Sequence, residues 1–180
     1  MIRPAAPADA QQIAAIYRPF CDESHISFEI PAPDPAEMAS RIDRISRRFP
    51  WLVDEVDGAI AGYAYASPHR ERAAYRWAVE VTVYIHERFR GRGVGRALYA
   101  ELFARLRAQG LFKAYAGIAL PNPASQAFHE SMGFTLVGIY RKIGYKLGAW
   151  RDAGWWQLVL QPEVDLPAEP RPPPPIPLAP

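Results

Sequence analysis

Seven residues near the middle of the chain interleave arginine with small residues, in the order Arg90-Gly91-Arg92-Gly93-Val94-Gly95-Arg96. Glycine lets a backbone turn tightly and brings its N–H groups close to a ligand, and arginine supplies forked, permanently charged donors that suit phosphate oxygens. A β-branched run precedes this segment and an apolar stripe of helical spacing follows it. A helix that begins here adds unpaired N–H groups and the positive end of its dipole. The pattern predicts a phosphate-binding loop between a strand and a helix.

The spacing of this loop excludes two common phosphate-binding motifs. No Gly-Lys-Ser or Gly-Lys-Thr follows the glycines, so the loop is not a Walker A sequence. A dinucleotide fingerprint counted from Gly91 or from Gly93 places Arg96 or Leu98 where its third glycine belongs. For the motif taken alone, the alternative is a basic glycine turn whose charges only face solvent.

A second chemical candidate, Glu80, opens the strand that leads to the loop. Strand alternation puts its carboxylate on the same face as Thr82 and Tyr84 and puts apolar side chains on the other face. A buried carboxylate is costly, and burial raises its pKa, which suits a general base. The structural alternative is an ion pair with Arg72 or Arg76 at the end of the strand.

The elements that must position these residues follow from hydrophobic spacing and turn residues. Residues 81–85 are predicted to form a strand, and Leu98, Leu102 and Leu106 place a helix after the loop, which Gly110 ends. The other predictions, in chain order, are an edge strand at 2–4, a helix capped by Asp9, a helix at 35–48, strands at 51–55 and 59–66 around Asp57-Gly58, a strand at 114–120 and a short helix at 127–131. Together they predict a mixed sheet with helices on both faces, of the α/β or α+β class.

The composition limits the protein to a few classes. At 180 residues, nearly half of them apolar, the chain is predicted to form one globular domain. The net charge of +2 is too small to indicate a nucleic-acid or membrane partner. Cys21 is the only cysteine, which excludes an intrachain disulfide and a cysteine-based metal cluster, so we expect an inert thiol and no metal site.

The two ends of the chain carry further predictions. No secretory h-region opens the sequence, and no apolar run approaches the roughly 20 residues of a membrane span, which favours a cytoplasmic protein. Proline dominates from Pro162 onward. Because proline breaks helices and lacks an N–H donor, we predict a folded domain over residues 1–161 and a disordered, extended tail over 162–180. A proline-binding partner for the tail is the alternative.

The loop also resembles a known family. Residues 90–95 match the Arg/Gln-x-x-Gly-x-Gly/Ala loop that forms the pyrophosphate cradle for acetyl-coenzyme A in the GCN5-related N-acetyltransferases (GNAT). Further segments resemble the phosphinothricin acetyltransferase branch of that family: Phe49-Pro50-Trp51-Leu52-Val53, Asp57-Gly58, Glu80-x-Thr82-Val83-Tyr84, His129-Glu130-x-x-Gly133-Phe134, Gly144-Tyr145-Lys146-x-Gly148-x-Trp150-x-Asp152 and Gly154-Trp155-Trp156-Gln157-Leu158. The resemblance covers residues 2–160. It implies a GNAT-type, mostly antiparallel twisted sheet with helices on both faces, and acetyl-coenzyme A (acetyl-CoA) as co-substrate.

This resemblance implies roles for individual residues. Glu80 stands at the position of the branch's catalytic base. His129 stands where many relatives carry a tyrosine near the thioester sulfur, and an imidazole there is able to donate a proton to the leaving thiolate, although a lone helix histidine is more often structural. The residues implied to bind the coenzyme are Val83, Tyr84, Ile85, Arg90, Gly91, Arg92, Gly93, Val94, Gly95, Arg96, Asn122 and Ser131.

The branch acetylates the amino group of small amino acids or their analogues, such as phosphinothricin, methionine sulfoximine and methionine sulfone. The carboxylate of such a small-molecule acceptor needs a cation, and the residues in segments that could line its pocket are Phe28, Arg70, Arg72, Tyr75 and Arg76. A polyamine, a drug or a protein N-terminus as acceptor, and a non-catalytic coenzyme-binding regulator, are the open alternatives. The branch also implies a homodimer, in which Trp150, Trp155 and Trp156 either form the interface or fill the core.

Overall fold

In a computed structural model of the protein, residues 1–173 are described and form a seven-stranded sheet. Its strands are β1 (Ile2–Pro4), β2 (Trp51–Val56), β3 (Ala59–Pro68), β4 (Ala78–Ile85), β5 (Lys113–Leu120), β6 (Thr135–Lys146) and β7 (Ala149–Val159). They pair in the order β1-β2-β3-β4-β5-β7-β6, and each pair is antiparallel except β4 with β5. The predicted mixed, mostly antiparallel sheet is confirmed.

Four α-helices flank this sheet in the part of the chain that the structure describes. They are α1 (Ala10–Asp22), α2 (Pro35–Ser46), α3 (Val94–Ala108) and α4 (Pro123–Ser131), and one-turn 3₁₀ helices lie at Pro7–Asp9, Ala73–Tyr75 and Glu87–Phe89. Proline opens α2 and α4, and the side chain of Asp34 or Asn122 accepts a hydrogen bond from the first turn of each. Within residues 1–173, no helix has both the length and the apolar character needed to cross a membrane.

Asp9 corrects one prediction about a helix start. Its side chain does not cap α1. The carboxylate instead accepts two hydrogen bonds of 2.8 Å from the guanidinium of Arg3 and one of 2.8 Å from the backbone N–H of Ala6. A bidentate, charge-assisted pair is stronger than a single cap bond, so it decides where the side chain points.

Apolar side chains pack in two clusters, one on each face of the sheet. In the first cluster, Leu98 and Leu102 of α3 are fully buried against Val79 of β4. In the second cluster, Ile13 of α1 and Ile42 of α2 are buried beside Val53 and Tyr63. Because successive residues of a strand point to opposite faces, Leu52 of β2 belongs to the first cluster and Val53 to the second. The helices therefore cover both faces, as predicted.

The pairing between β4 and β5 ends after three residues, which leaves the two strands separated beyond Glu80. Ala78, Val79 and Glu80 pair in parallel with residues 113–115. Beyond Glu80, no strand of the described chain pairs with the edge of β4 that faces β5. Backbone N–H and C=O groups need hydrogen-bond partners, so residues 81–85 form an edge to which an extended ligand can bond.

Residues 162–173 contain no helix or strand but lie against the domain. The contacts are Glu163 with Lys113, the Ala168 carbonyl with Trp77 Nε1, Glu169 with Arg76, and Arg171 with Gln109 in both directions. The division of the chain between a domain at 1–161 and a disordered tail stays a prediction, and residues 174–180 lie outside the described residues.

Candidate active site

A cleft of about 500 Å³ opens between the end of β4, the start of α3 and the start of α4. All the residues predicted to bind the coenzyme line this cleft, except Arg92 and Ser131. Several apolar residues of the lining were not predicted, among them Phe20, Ile26 and Phe128. They lie in or beside two helices distant from the loop in sequence, and a hydrophobic residue there carries no signal that distinguishes it from core.

The glycine loop has the backbone that its sequence predicts. Gly91 and Gly93 have φ angles of +72° and +82°, in the left-handed region that other residues rarely adopt. Gly93 is also the N-cap of α3 and has no side chain to satisfy the first N–H groups of the helix. Since Val94, Gly95 and Arg96 of that first turn line the cleft, its N–H groups form an anion site.

The arginines of the loop are held by different partners. The Arg90 guanidinium lies 5.4 Å from the ring centre of Phe20, across the cleft. Arg96 donates from Nη2 to Ser131 Oγ over 3.0 Å, so Ser131 positions an arginine rather than lining the cleft itself. Arg92 lies over the ring of Phe89, at 5.7 Å from its centre. The structure brings Arg90 and Arg96 to the cleft and leaves Arg92 beside it.

Close packing explains why the third glycine of the loop is small. A Cβ atom on Gly95 would lie 3.3 Å from the ring of Phe128 in α4. Glycine at this position therefore allows the first turn of α3 to approach α4 closely.

Glu80 lies where β4 and β5 separate, next to its register partner Tyr115. Its Oε1 atom is 3.2 Å from Arg70 Nη1 and 3.2 Å from His69 Nδ1, and its side chain is 32% exposed. Burial raises the pKa of Glu80 above its ordinary value, and the positive charge of Arg70 opposes part of that rise. The expected ion-pair partners were Arg72 and Arg76, and the partner in the structure is Arg70.

His69 is a neighbour of Glu80 that was not predicted from the sequence. Its ring stacks on Tyr115 with centres 4.3 Å apart, and Trp155 and Tyr75 meet it edge-on at 5.6 Å and 6.3 Å. Burial, and after it the charge of Arg70, lower the pKa of His69, so the ring is neutral at pH 7. No motif marks His69, because its place depends on how the connection between β3 and β4 folds back.

His129 is buried beside the cleft with both ring nitrogens in contact with the protein. Nδ1 donates to the carbonyl oxygen of Ser125 over 2.8 Å, and Nε2 lies 3.0 Å from the hydroxyl of Tyr99. Burial lowers the pKa of His129, and the Ser125 carbonyl opposes part of that shift. This arrangement gives the neutral ring no spare N–H for a leaving group, and its proton-donor role stays a prediction.

The five residues predicted for the acceptor separate into two groups. Arg70 and Tyr75 lie around His69 and Glu80, and the Arg70 guanidinium also lies 5.6 Å from the ring centre of Trp155. The other three lie elsewhere. Phe28 packs against Gly144 of β6, Arg72 is exposed before the Ala73–Tyr75 turn, and Arg76 pairs with Glu169 and lies over Trp77.

The three tryptophans considered for an interface also separate. Trp156 is buried in the core. Trp155 lies against Gly117 of β5, where an added Cβ would come within 3.2 Å of its ring. Trp150 is 61% exposed.

A family model of the acetyltransferase (GNAT) domain matches residues 2–155. The chain belongs to the GNAT family. A phosphinothricin N-acetyltransferase of Streptomyces viridochromogenes is 42% identical over 171 residues, which are 95% of this chain and 91% of that protein. An L-methionine sulfoximine/L-methionine sulfone acetyltransferase of Pseudomonas aeruginosa is 34% identical over 168 residues, 92% of this chain and 98% of that protein.

A solved GNAT structure gives the same fold. The GNAT superfamily phosphinothricin acetyltransferase of Sinorhizobium meliloti, in complex with acetyl-CoA, superposes with a TM-score of 0.84 and 38% identity, covering 88% of this chain and 87% of that one. This GNAT protein is an acetyl-CoA-dependent N-acetyltransferase.

The cleft fits the coenzyme of a GNAT enzyme. The first turn of α3 offers N–H groups, and Arg90 and Arg96 offer charge, to phosphates. The unpaired edge of β4 offers backbone groups to an extended amide chain, and Phe20 and Phe128 offer apolar surface. Among residues 1–173, no three His, Cys, Asp or Glu side chains are grouped to hold a metal ion.

Proposed function

We propose that the protein transfers an acetyl group from acetyl-CoA to the amino group of a small amino acid or analogue of the phosphinothricin or methionine sulfoximine and sulfone type. The observation that carries the proposal is the position of Glu80. Its partly buried carboxylate lies at the point where β4 and β5 separate, with the cation of Arg70 beside it. The names of the relatives support this class of acceptor.

Coenzyme binding is assigned to the cleft. Bound there, acetyl-CoA supplies an acetyl thioester. The first turn of α3 with Arg90 and Arg96 holds its phosphates, and each charge-assisted bond contributes about 1.5–3 kcal/mol. The open edge of β4, at Val83 to Ile85, holds the chain between phosphate and thioester by backbone hydrogen bonds. Asn122 caps α4 and also lines the cleft, so it serves both the helix and the coenzyme.

Glu80 is proposed as the general base. An amine with a pKa of about 8–10 is mostly protonated at pH 7, and its deprotonation costs about 1.4–4 kcal/mol. Burial raises the pKa of Glu80, which makes its carboxylate a stronger proton acceptor, and Arg70 keeps that carboxylate ionised. A carboxylate poised in this way takes a proton from the ammonium group, which frees the lone pair of the amine to attack the thioester carbonyl, and the coenzyme leaves as its thiolate.

The acceptor is proposed to lie on the open face of β5, β7 and β6, next to Glu80. A cavity of about 120 Å³ there is lined by Arg70, Tyr115 and Trp155 among others. The arginine suits an acidic group of an amino acid analogue, and the aromatic walls suit its apolar stem. A positive charge at the entrance disfavours a polyamine, which distinguishes the proposed acceptor from the main cationic alternative.

We also propose that two copies of the chain associate through the exposed apolar surface of β6, β7 and the turn between them. Several apolar residues there are exposed, among them Leu136, Ile143, Tyr145, Leu147 and Trp150. Exposed apolar surface of this extent marks an interaction site in a water-soluble domain. The homodimer implied by the resemblance gives that surface a partner.

The direct test measures thiol release from acetyl-CoA with phosphinothricin, methionine sulfoximine, methionine sulfone, spermidine and an N-terminal peptide. The proposal expects turnover with the first three. Turnover with spermidine or the peptide alone would reassign the acceptor. Silence with all five, together with measurable binding of acetyl-CoA by calorimetry, would favour the non-catalytic regulator.

A further inference from the structure

Two groups of the described chain converge on one oxygen of Glu80, and no hydrogen bond is made to the other. Oε1 is 3.2 Å from Arg70 Nη1 and 3.2 Å from His69 Nδ1. Within residues 1–173, no hydrogen bond reaches Oε2. A carboxylate held by one oxygen has a fixed orientation, and its second oxygen is the one available to take a proton.

The Nδ1 atom of His69 is enclosed by protein. Among the described residues it has no hydrogen bond of good geometry. Glu80 Oε1 lies 3.2 Å from this nitrogen, within reach but without the geometry of a hydrogen bond. A buried N–H without a partner costs about 1–3 kcal/mol, so a small rotation that aligns this pair is favoured.

Aromatic neighbours hold the ring of His69 within reach of Glu80 Oε1. It stacks on Tyr115 of β5, and Tyr75 and Trp155 close it from two sides. Its side chain is only 14% exposed. The titratable or charged groups that face it are Glu80 from β4, Arg70 from its own segment, Tyr75 from the 3₁₀ turn, Tyr115 from β5 and Tyr140 from β6 across the cavity.

We propose that His69 is a positioning residue for Glu80. Its Nδ1–H donates to Oε1, and together with Arg70 it turns Oε2 toward the acceptor amine. In the proton transfer an N–H bond of the ammonium breaks and an Oε2–H bond forms, while His69 stays neutral and keeps its hydrogen. The proposal rests on Glu80 as the base in the proposed function. Neither the loop motif nor the strand pattern identifies this residue.

Two substitutions at His69 separate this role from simple packing. His69→Phe keeps a ring in the stack and removes the donor, whereas His69→Asn keeps an N–H donor and removes the stacked ring. Loss of a donor to the carboxylate raises the pKa of Glu80, so the acid limb of the kcat profile moves up by about one pH unit in His69→Phe. His69→Asn keeps the limb near that of the unaltered protein, and KM for acetyl-CoA changes in neither, since His69 does not line the cleft.

The opposite pattern would overturn the proposal: a normal acid limb in His69→Phe and a displaced one in His69→Asn. Glu80→Gln is assayed in parallel. Full turnover in that variant would remove Glu80 as base and with it the proposed mechanism, whereas an inactive Glu80→Gln beside a normal His69→Phe would remove only the role of His69.

A measurement on the unaltered protein does not depend on how the variants fold. The chain has four histidines, so ring-nitrogen resonances are resolvable by NMR. We expect the neutral His69 ring to carry its hydrogen on Nδ1, and we expect its pKa to fall in Glu80→Gln, because a negative neighbour is lost. The proposal would be contradicted if the neutral His69 ring carried its hydrogen on Nε2 and if the pKa of His69 were the same in Glu80→Gln as in the unaltered protein.

Discussion

Nε2 of His129 lies 3.0 Å from the hydroxyl oxygen of Tyr99, in the interior between α3 and α4. Because Nδ1 donates to the Ser125 carbonyl, Nε2 carries no hydrogen in the neutral ring and accepts from the tyrosine. Tyr99 is fully buried, and this bond joins α3 to α4, the two helices whose first turns line the cleft. The contact favours a structural role for His129, which was also a candidate proton donor.

The first prediction follows from that contact. Tyr99→Phe removes the donor and leaves Nε2 of His129 buried without a partner, which costs about 1–3 kcal/mol in the free energy of unfolding. We expect urea titration to show this loss, with kcat nearly unchanged at temperatures where the variant is folded. A fall in kcat of tenfold or more in the folded variant would instead return His129 to the chemistry.

The pH dependence of stability tests the same site. Burial lowers the pKa of His129 below the value of about 6.5 that it has in the unfolded chain. The unfolded state therefore binds the proton more readily, and the stability that neutral His129 contributes is present above about pH 6.5 and lost as the pH falls through and below that value. Unfolding of the native protein and of His129→Phe, compared between pH 7.5 and 5, is expected to show a smaller loss in the variant. An equal loss would contradict the assignment.

Glu80→Gln keeps the shape of the side chain and removes the proton acceptor. We expect kcat to fall by about 10²–10⁴-fold, the range for loss of a general base, with KM for acetyl-CoA unchanged. Glu71→Gln is the matched control, since it makes the same charge change on the exposed loop nearby. Steady-state kinetics of both variants tests the role of Glu80. Equal kcat values for the two variants would exclude Glu80 as the general base.

The two arginines that flank the same loop are expected to differ. Arg70→Gln removes the cation that favours ionised Glu80, so the pKa of Glu80 rises, the acid limb moves to higher pH and KM for an acidic acceptor increases. Arg76→Gln changes the same charge, but its guanidinium pairs with Glu169 at the surface, away from Glu80. We expect near-normal kinetics in that variant, and pH–rate profiles of both will test the distinction.

The parts of this site that sequence could predict are those encoded locally. Gly91 and Gly93 stand where the backbone needs positive φ, and strand alternation placed Glu80 on its face, so spacing alone located both. Partners that meet across the fold were not predictable. Arg70 rather than Arg72 reaches Glu80, and no local pattern encodes which arginine of this connection between β3 and β4 does so.

The elements of the fold that were predicted are also those with a local sequence signal. The Asp57-Gly58 turn and the leucine stripe of α3 were sufficient to predict β2, β3 and that helix. The strands β6 and β7, which run for 12 and 11 residues, were not predicted at all, because several of their exposed residues are apolar and break the alternation expected of a half-exposed strand.

Two glycines with positive φ, one in the loop and one in a distant turn, separate the effect of backbone strain from the effect on acetyl-CoA binding. Gly93→Ala places a side chain at φ +82°, and we expect a cost in stability of about 1–2 kcal/mol and an increase in KM for acetyl-CoA, because the first turn of α3 shifts. Gly58→Ala is the control. Gly58 has φ +76° in the turn between β2 and β3, with equally open space around its Cβ position. Both variants are expected to lose similar stability in thermal unfolding, and only Gly93→Ala to lose affinity for acetyl-CoA; equal affinities would contradict the role of the loop.

The proposed dimer makes the last prediction. Tyr145 and Trp150 are register partners on β6 and β7, their rings lie 5.4 Å apart, and Trp150 is 61% exposed. A charge placed in an apolar interface must be buried without a partner, so Trp150→Glu is expected to convert a dimer to a monomer in sedimentation velocity. Leu166→Glu is the control, since Leu166 is 92% exposed on the segment beyond β7 and lies outside the proposed surface. If the unaltered protein sediments as a monomer at micromolar concentration, or if Trp150→Glu stays dimeric, then the exposed apolar surface of β6, β7 and the turn between them does not join two copies of this chain.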